Sequence, residues 1–372
     1  MIAALQIKNF KCFDDLNLRL GPLTLLTGFN GGGKSTALQP LLLLSQNMRL
    51  TQDVENYALN GALVRLGTVG DVLPSETKRS EVQFMLHGEG AVLSWTFTAR
   101  AGDRFIQMKD RMPISKGLSV NQERALVRQI EQGVARLIYI SAVREGAADA
   151  YPSPNVGDDV FSTIGADGRF AAYWYDQMVD NQVTQARRHP AESAETFRKQ
   201  LDAWLGTLFP GAQANVQLLP QVSLLSLQFR MNLTGAWRRP ANIGYGLTYA
   251  FPILVALLAA QEGQLVVVDS PEAHLHPSAQ SQMGRILGHF ANAGVQIVVE
   301  THSDHLLNGV RLAIKEQTLP SKSLQLHFFG GPSSKGHGVV SPSIDDKGSI
   351  YEWPDGFFDQ SERDLSLLAD WQ

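Results

Sequence analysis

Lys34 and Ser35 are the residues of this sequence whose types and spacing most directly suggest chemistry. They close the pattern Gly28-x-x-x-x-Gly33-Lys34-Ser35, which lies between an apolar run at 23–27 and a helix-forming segment at 37–46. Because a strand, a glycine loop and a helix in this order turn backbone N–H groups toward an anion, the pattern predicts a loop that holds a triphosphate. The alternative is a glycine-rich turn that precedes a lysine by chance.

Each position of this phosphate loop has its own expected task. Glycines keep side chains away from the phosphates, and the helix that starts near Gly33 adds its positive end and free N–H groups. The Lys34 ammonium can reach the β- and γ-phosphates of ATP, and the Ser35 hydroxyl is placed to ligate Mg²⁺. We expect the nucleotide to be bound by Asn30, Gly31, Gly32, Gly33, Lys34, Ser35 and Thr36.

Two later apolar runs end in polar side chains that could complete this site. Residues 265–268 are followed by Asp269, and residues 295–299 are followed by Glu300, Thr301 and His302. Buried parallel strands bring their carboxyl ends to one edge of a sheet, so Asp269 would hold Mg²⁺, directly or through water. The His302 imidazole would sense a γ-phosphate there. Taken alone, Asp269 could be an ordinary strand end and His302 a capping or packing residue.

A third element precedes the Asp269 strand. The segment 242–252 contains Gly244, Gly246 and Thr248, three small residues at the predicted start of a helix. Small residues at a helix start leave backbone N–H groups accessible to a phosphate. These three residues are therefore predicted to contact nucleotide as well.

The composition excludes several classes of protein. With 372 residues, of which 44% are hydrophobic, the chain can bury a large core. Its net charge of −4 provides no global attraction to nucleic acid or to a membrane. The single cysteine, Cys12, cannot form an internal disulfide, and no apolar run is long enough to span a bilayer. We expect a cytoplasmic protein without a targeting segment.

The segment order predicts one domain over residues 1–372 with inserted lobes. The inserted parts are an antiparallel β-lobe at about 75–115, a helical and strand insertion at about 165–240, and a C-terminal tail domain at about 340–372. The other expected elements are strands at 2–7, 16–20 and 23–27, helices at 121–133, 170–181 and 190–209, a long loop at 144–168 and a strand pair at 216–231.

Taken in order, these motifs resemble those of the ABC-class ATPases of the SMC, RecF and overcoming-lysogenisation-defect (OLD) type, found in bacterial DNA repair and phage defence. Residues 7–13, IKNFKCF, match the opening of that family, and residues 269–277, DSPEAHLHP, match its acidic segment. Residues 352–360, EWPDGFFDQ, are similar to a tail domain of unknown function. The resemblance implies an α/β P-loop NTPase head with a mixed central sheet, helices on both faces, an antiparallel β-lobe and a helical insertion.

The resemblance also implies how such a head works. Two heads dimerise around ATP, so that the segment 244–248 of one subunit touches the γ-phosphate held by Lys34 of the other. The implied function is a Mg²⁺-dependent ATP-binding and hydrolysing switch subunit of a prokaryotic phage-defence or DNA-processing complex. It would form a homodimer or higher oligomer and control a nuclease or another effector subunit. Two alternatives remain: a RecF-like repair clamp that acts directly on DNA, and a scaffold that holds ATP without hydrolysing it.

Two departures from the family pattern concern hydrolysis. Most hydrolytic members carry Glu immediately after the acid that corresponds to Asp269, whereas this chain has Ser270. Since a serine hydroxyl is a poor base, we expect slow hydrolysis with Glu272 as the candidate base; its alternative role is structural, in the turn before Pro277. The glutamine that bridges metal and water in the family has no secure counterpart, and Gln46 is the candidate.

The remaining histidine and arginine clusters have plainer explanations. His274 and His276 have one residue between them, and the family motif accounts for them without Zn²⁺. Basic pairs at 187–188 and 238–239 could touch nucleic acid, although isolated pairs are usually solvated surface. No acidic cluster like a Toprim nuclease centre follows the ATPase portion, so we expect any nuclease activity to belong to a partner subunit.

Overall fold

Two six-stranded sheets form the framework of the computed structural model, which describes residues 1–49, 55–74, 80–115, 119–154, 164–333, 336–354 and 356–369. Parts of the loop expected at 144–168, of the predicted β-lobe and of the predicted tail lie outside these ranges.

The first sheet is antiparallel and carries the N-terminal motif. Its strands, in the spatial order β2-β1-β5-β6-β7-β4, are β1 (Ala4–Phe10), β2 (Phe13–Arg19), β4 (Asn56–Ala58), β5 (Glu81–His87), β6 (Val92–Thr98) and β7 (Phe105–Ile114). Burial alternates along β5, so one face of this sheet packs against the core. Because β5 pairs with β1, the strands of the predicted β-lobe share a sheet with the N-terminal hairpin.

The second sheet is the central one. Its strands, in the order β15-β14-β3-β13-β12-β8, are β3 (Leu23–Gly28), β8 (Ile138–Ile140), β12 (Leu265–Asp269), β13 (Gln296–Glu300), β14 (Leu324–Ser333) and β15 (Gly336–Val340). All pairs are parallel except β14 with β15. Parallel strands covered on both faces are typically hydrophobic, and β12 and β13 each have a buried apolar centre that ends in a carboxylate residue. The expected α/β fold with a mixed central sheet is confirmed.

Helices cover both faces of the central sheet. On one face, α1 (Lys34–Arg49) and α2 (Val120–Ala135) pack between this sheet and the first one. The other face carries α5 (Tyr245–Ala259), α6 (Pro277–Asn292) and α7 (Asp304–Lys315). The inserted region contributes α3 (Ala171–Met178), α4 (Phe197–Leu208) and a small sheet of β9 (Tyr151–Pro152), β10 (Gln213–Leu219) and β11 (Leu224–Arg230), which extend the same core.

Helix α4 begins at Phe197, so the helix expected from residue 190 was placed too early. The buried Gln200 side chain donates to the carbonyl oxygens of Glu192 and Ala194, which fixes the preceding segment as a loop. Arg187, expected on a solvated surface, is instead buried and donates to the carbonyl oxygen of Ala260. One member of that basic pair is therefore structural.

The N-terminal strands were also displaced in the sequence interpretation. Strand β1 runs to Phe10 and β2 begins at Phe13, although 8–15 reads as a polar loop. The connection is short because Lys11 adopts the left-handed conformation, with φ of 51°. Cross-strand pairing thus overrides local polarity here.

The C-terminal residues return to the central sheet. A two-stranded pair of β16 (Ser343–Ile344) and β17 (Ile350–Tyr351) follows β15, and the last helix is α8 (Gln360–Leu368). Between them, Phe357 is fully buried against the core. The tail therefore packs on the body of the molecule.

Candidate functional site

The phosphate loop lies between β3 and α1, at the carboxyl edge of the central sheet. Gly28, Gly31 and Gly33 have φ values of 126°, 75° and 102°, which residues with side chains rarely adopt. A Cβ on Gly28 would lie 2.2 Å from the carbonyl oxygen of Phe329, and one on Gly33 would lie 2.5 Å from the Phe13 ring. Two of these glycines are therefore required by contacts within the protein, in addition to any phosphate access.

The N-terminal motif supports this loop. Phe13 is buried beneath Gly33, and Cys12 Sγ lies close to the same glycine. The Cys12 sulfur also forms a hydrogen bond with the Thr36 side chain, at the first turn of α1. The motif at 7–13 thus has a physical task, which is to hold the phosphate loop against the first sheet.

The remaining loop residues are accessible. Asn30, Gly31 and Ser35 are exposed, whereas Gly32 is buried beside the carbonyl oxygens of β14. An exposed rim over a buried floor is the geometry that lets a ligand reach backbone N–H groups.

Lys34 is buried and held by carbonyl oxygens of its own loop. Its Nζ donates to the oxygens of Gly28 at 3.1 Å and Phe29 at 2.9 Å. Burial lowers the pKa of Lys34, and the nearby Glu300 and Asp269 carboxylates act in the opposite direction. The Lys34 ammonium therefore lies in the loop expected to hold phosphates, near the carboxylates of Glu300 and Asp269.

Ser35, Asp269 and Glu300 meet at the ends of β12 and β13. Asp269 lies opposite Glu300 in the parallel register, and Ser35 Oγ donates to Glu300 Oε1 at 2.9 Å. Asp269 Oδ1 accepts a hydrogen bond of 2.8 Å from Ser270 Oγ. Burial, reinforced by Asp269, raises the pKa of Glu300 to about 7, and Glu300 Oε2 has no hydrogen-bond partner among the described residues.

Glu300 is a site residue that the sequence interpretation missed. The pattern after β13 assigns His302 to the nucleotide site and predicts Glu300 only as the end of the strand. The signal was present in the spacing, because aligning the two apolar runs as neighbouring parallel strands sets Glu300 beside Asp269.

Glu272 and His302 are also brought to this edge. The backbone N–H of His302 donates to Glu272 Oε1 at 2.8 Å, and Glu272 Oε2 is buried without a partner in the described part of the chain. Burial raises the pKa of Glu272. Burial lowers the pKa of the His302 imidazole, and Lys34 adds to this effect. The His302 imidazole therefore lies close enough to Lys34 for the lysine charge to lower its pKa.

Arg144 is a second residue that sequence reasoning missed. It follows β8, is only 3% exposed, and its Nη2 donates to the carbonyl oxygens of Asp269 and Ser270. Its Nε and Nη1 are buried without partners among the described residues. Burial lowers the pKa of Arg144 to about 10, against the opposing effect of Asp269 and Glu272, so it stays charged at neutral pH. A single arginine within a polar loop gave no sequence signal.

The helix start at Gly244 has an exposed and a buried part. Gly244 is the exposed N-cap of α5, and nothing lies within 4 Å of an added Cβ there. Gly246 is closely packed, since its Cβ would lie 2.7 Å from the carbonyl oxygen of His274. Thr248 is 2% exposed and lies inside the helix, which places its side chain away from the surface. Gly244 alone of the three is accessible.

Gln46 does not reach this site. Its Oε1 accepts hydrogen bonds from the backbone N–H groups of Leu63 and Val64, and its Nε2 donates to Ala58. The side chain therefore holds the segment after β4, and the proposal of Gln46 as a bridging glutamine was wrong. The position of Gln46 on α1 directs its side chain toward β4 of the first sheet.

The two motif histidines have contacts of their own. The His274 ring packs 4.4 Å from Tyr249, and His276 is the N-cap of α6, where its Nδ1 accepts from Ser278. Among the described residues, no three His, Cys, Asp or Glu side chains form a metal-binding group.

The donor set nevertheless fits Mg²⁺ in the form of its nucleotide complex. One serine hydroxyl, the Asp269 carboxylate and the unpartnered oxygen of Glu300 are hard oxygen donors. Mg²⁺ in phosphate-transfer sites takes few protein carboxylates and fills its other positions with water and phosphate oxygens. Lys34 and the N–H groups of the loop supply the complementary positive charge.

Comparison with known protein families gives three matches. The model described as "AAA domain, putative AbiEii toxin, Type IV TA system" matches residues 53–308, which is more than half of the chain. An "AAA ATPase domain" model matches residues 1–82, which include the phosphate loop. A "Protein of unknown function (DUF3696)" model matches residues 319–368.

Among individual proteins, the chain is 26% identical over 337 residues to the OLD nuclease of Thermus scotoductus, covering 82% of this chain and 59% of that protein. The chain thus spans about three fifths of the length of this relative.

Solved structures show the same fold. An Smc head domain bound to the C-terminal domain of ScpA, from Pyrococcus furiosus, aligns with a TM-score of 0.55 at 12% identity over 99% of this chain and 98% of that one. An SmcHead bound to the C-winged helix domain of ScpA aligns with a TM-score of 0.52 at 13% identity, over 92% and 98% of the two chains. In the described part of this chain, no helix has the length and apolar character needed to cross a membrane.

Proposed function

The chain belongs to the AAA-domain ATPase family that matches residues 53–308, and we propose that it is a Mg²⁺-dependent ATP-binding and ATP-hydrolysing switch subunit. In this proposal it dimerises around ATP and controls a partner effector, such as a nuclease, in a prokaryotic phage-defence or DNA-processing complex. The resemblance to OLD and SMC proteins found in the sequence is confirmed by the relatives.

The observation that carries the proposal is the convergence of chemistry at one sheet edge. Residues distant in sequence lie around the phosphate loop: Lys34, Ser35, Asp269, Glu272, Glu300 and His302. A loop of N–H groups and an ammonium bind phosphate, and adjacent carboxylates bind the accompanying cation. A scaffold that only held ATP would have no need for the further carboxylate of Glu272.

Ser35 and Asp269 would hold Mg²⁺, with Glu300 positioned to assist them. When bound, Mg²⁺ supplies positive charge that offsets the charge of the β- and γ-phosphate oxygens. Lys34 then exchanges its loop carbonyl partners for phosphate oxygens, which gives shorter, charge-assisted hydrogen bonds. Asn30, Gly31, Gly32, Gly33 and Thr36 complete the proposed cradle.

Glu272 is the proposed base that orients and deprotonates the attacking water. Its Oε2 is buried and has no partner in the described part of the chain, and burial raises its pKa, which makes the carboxylate a stronger base. His302, whose backbone N–H fixes Glu272, is proposed to sense the γ-phosphate through its ring. Because Ser270 takes the place of the usual glutamate, we expect slow turnover.

The proposed assembly places the exposed N-cap Gly244 of one subunit against the nucleotide of the other. The first N–H groups of a helix have no partner within the helix, so they are available to a phosphate. Gly246 and Thr248, which are buried, would then contribute through packing that fixes the position of this helix start. ATP bound between two heads would link the state of the site to the arrangement of an attached effector.

Titration with a fluorescent ATP analogue in Mg²⁺ tests the central claim. We expect Lys34→Ala to weaken binding by at least about a hundredfold, because it removes charge-assisted hydrogen bonds to two phosphates. Lys199→Ala, which removes an exposed lysine of α4, is the matched control and should bind as the wild type does. Equal affinities for Lys34→Ala and wild type would refute the assignment of the phosphate loop.

A further inference from the structure

The C-terminal tail touches the phosphate loop at Phe29, beside a row of aromatic rings that begins on β14. The Phe29 ring packs edge-on against Phe328, with centroids 5.6 Å apart, and Phe328 packs against Phe357 at 5.3 Å. Trp353 continues the row at 4.7 Å from Phe357. We refer to Phe328, Trp353, Gly356 and Phe357 as the aromatic clamp. Within the phosphate loop, it contacts Phe29.

Gly356 is the position where the clamp comes closest. It has φ of 79°, and a Cβ built on it would lie 2.4 Å from Cζ of Phe29. Its N–H donates to Asp359 Oδ2 at 3.1 Å, which fixes the turn. A glycine is thus needed both for the backbone conformation and for the contact with Phe29.

The backbone of Phe29 belongs to the phosphate site. Its carbonyl oxygen accepts from Lys34 Nζ, and its N–H donates to the carbonyl oxygen of Phe329 at 3.1 Å. In the proposed nucleotide complex Lys34 would turn to the phosphates, and the carbonyl of Phe29 would lose this partner. Phe29 would then be a residue whose backbone contacts change on nucleotide binding and whose ring lies against the tail.

The far side of the clamp is fastened to α7. The Arg311 guanidinium lies over the Trp353 ring at 5.9 Å, and Arg311 Nε donates to the carbonyl oxygen of Gly348 at 2.7 Å. Helix α7 begins at Asp304, directly after the loop that carries His302. The tail therefore contacts both the phosphate loop and α7.

We infer that the aromatic clamp is a positioning element for the phosphate loop, which fixes Phe29 and reports nucleotide binding to the C-terminal tail. This inference rests on the proposed function, since it assigns the tail a task at the same site. Linkage makes the effect reciprocal: a nucleotide that changes the contacts of Phe29 alters the tail, and a tail that holds Phe29 alters nucleotide affinity. The C-terminal tail, which lies within the match to the family of unknown function, would thereby help to position the phosphate loop.

Gly356→Ala tests the clamp in the full-length chain. The added methyl collides with the Phe29 ring, and we expect the Kd for Mg·ATP to rise about tenfold, within the usual range of coupling between sites. Gly206→Ala is the matched control, because its Cβ meets nothing within 4 Å on α4, and it should bind ATP as wild type does. Thermal melting checks that each variant is folded, and Phe357→Leu replaces Gly356→Ala if the latter is not.

A double variant separates the clamp from a general effect on folding. In a Phe29→Ala background the collision disappears and only the backbone strain at φ of 79° remains, so adding Gly356→Ala should raise the Kd by much less than it does in the wild type. An equal loss in both backgrounds, or wild-type affinity of both Gly356→Ala and Phe357→Leu, would overturn the clamp. Lys34→Ala is titrated alongside; if it binds ATP normally, the proposed function fails, whatever the clamp variants do.

Trp353 provides a direct readout of the tail. We expect Mg·ATP to change the intrinsic tryptophan emission of the wild type, and Trp353→Phe to lose most of this change while retaining ATP binding. Trp237→Phe, which removes another partly exposed tryptophan, is the control. A full ATP-dependent change in Trp353→Phe would show that the tail does not respond to nucleotide.

Discussion

At the proposed nucleotide site Glu300 is buried and Glu272 is half-buried with one buried carboxylate oxygen, and their contacts suggest different tasks. Glu300 shares a hydrogen bond with Ser35 and faces Asp269 across the sheet register, which places it with the proposed cation ligands. Glu272 is held by the backbone of the His302 loop and has a second oxygen without a partner among the described residues. The contacts of Glu300 suit a carboxylate that helps to bind a cation, and those of Glu272 suit a carboxylate that binds a water molecule.

Isosteric substitution separates these tasks. We expect Glu272→Gln to lower the kcat for ATP hydrolysis by about 10²–10⁴-fold, the usual contribution of a general base, while ATP binding persists. Glu300→Gln should instead raise the Mg²⁺ concentration needed for half-maximal hydrolysis. Phosphate release at varied Mg²⁺ measures both effects.

Glu262→Gln, an exposed glutamate just before β12, is the control for both substitutions. Unchanged turnover in Glu272→Gln would assign the base elsewhere, and loss of kcat at saturating Mg²⁺ in Glu300→Gln would point to Glu300 itself.

At the residue scale, sequence reasoning found the groups that follow a rule of position. Lys34 and Ser35 stand at fixed places in a loop pattern, and Asp269 ends an unambiguous buried strand. The burial of Thr248 could not be found in this way. It depends on how closely α5 approaches the turn that carries His274, where even a Cβ on Gly246 would collide. That distance is set by tertiary packing, which a helix-start pattern does not contain.

At the element scale, Arg144 joins three elements that flank the site. It comes from the loop after β8, donates to the backbone after β12, and its guanidinium lies 5.1 Å from the centre of the Tyr249 ring on α5. Tyr249 in turn packs on His274. The turn that follows Asp269 and the helix that begins at Gly244 are thus held by a single charged side chain.

Arg144→Gln should therefore impair hydrolysis more than nucleotide binding. The substitution removes the positive charge facing Asp269 and Glu272 and loosens the turn, and displacements of this kind cost about 100-fold in rate. ATP affinity, which depends on Lys34, should stay close to that of wild type. Arg144→Lys retains the charge with fewer donors, so we expect an intermediate kcat.

Steady-state kinetics, with KM and kcat determined separately, measure the effect of Arg144. Arg239→Gln removes an exposed arginine whose ion pair with Asp149 spans 3.7 Å, and it should leave both constants unchanged. A rise in KM with normal kcat in Arg144→Gln would contradict the positioning role, because it would mean that only binding was lost.

The elements predicted best from the sequence are those whose residue pattern is set by a single physical requirement, such as burial on both faces. Strands β12 and β13 are covered on both faces, so their central residues are apolar and an acidic residue marks the carboxyl end of each. Helix α4 was extended too far because the buried amide of Gln200 satisfies the carbonyls of the preceding loop. A buried polar side chain that replaces helical hydrogen bonds leaves no periodic signal.

At the scale of the whole molecule, part of the proposed site is exposed. The phosphate loop and the strand ends that carry Asp269 and Glu300 lie at one edge of the central sheet, and α1 packs between this sheet and the first one. Phe29, Asn30 and Tyr245 are exposed there. An open site that presents a free helix start and a phosphate loop on one chain is suited to closure by a second copy.

Gly244→Arg tests this closure without disturbing the monomer. Gly244 is exposed, its φ of −60° is available to any residue, and its Cβ meets nothing within 4 Å, so the fold should tolerate arginine. Thr248→Arg would not serve, because Thr248 is buried.

Light scattering in Mg·ATP should show dimers or larger assemblies for Glu272→Gln, which traps ATP, since ligand binding to the dimer drives association by mass action. Adding Gly244→Arg should leave a monomer that still binds ATP, whereas Gly206→Arg, at an equally open glycine, should still associate. ATP-driven association that survives Gly244→Arg would mean that the start of α5 does not lie in the interface.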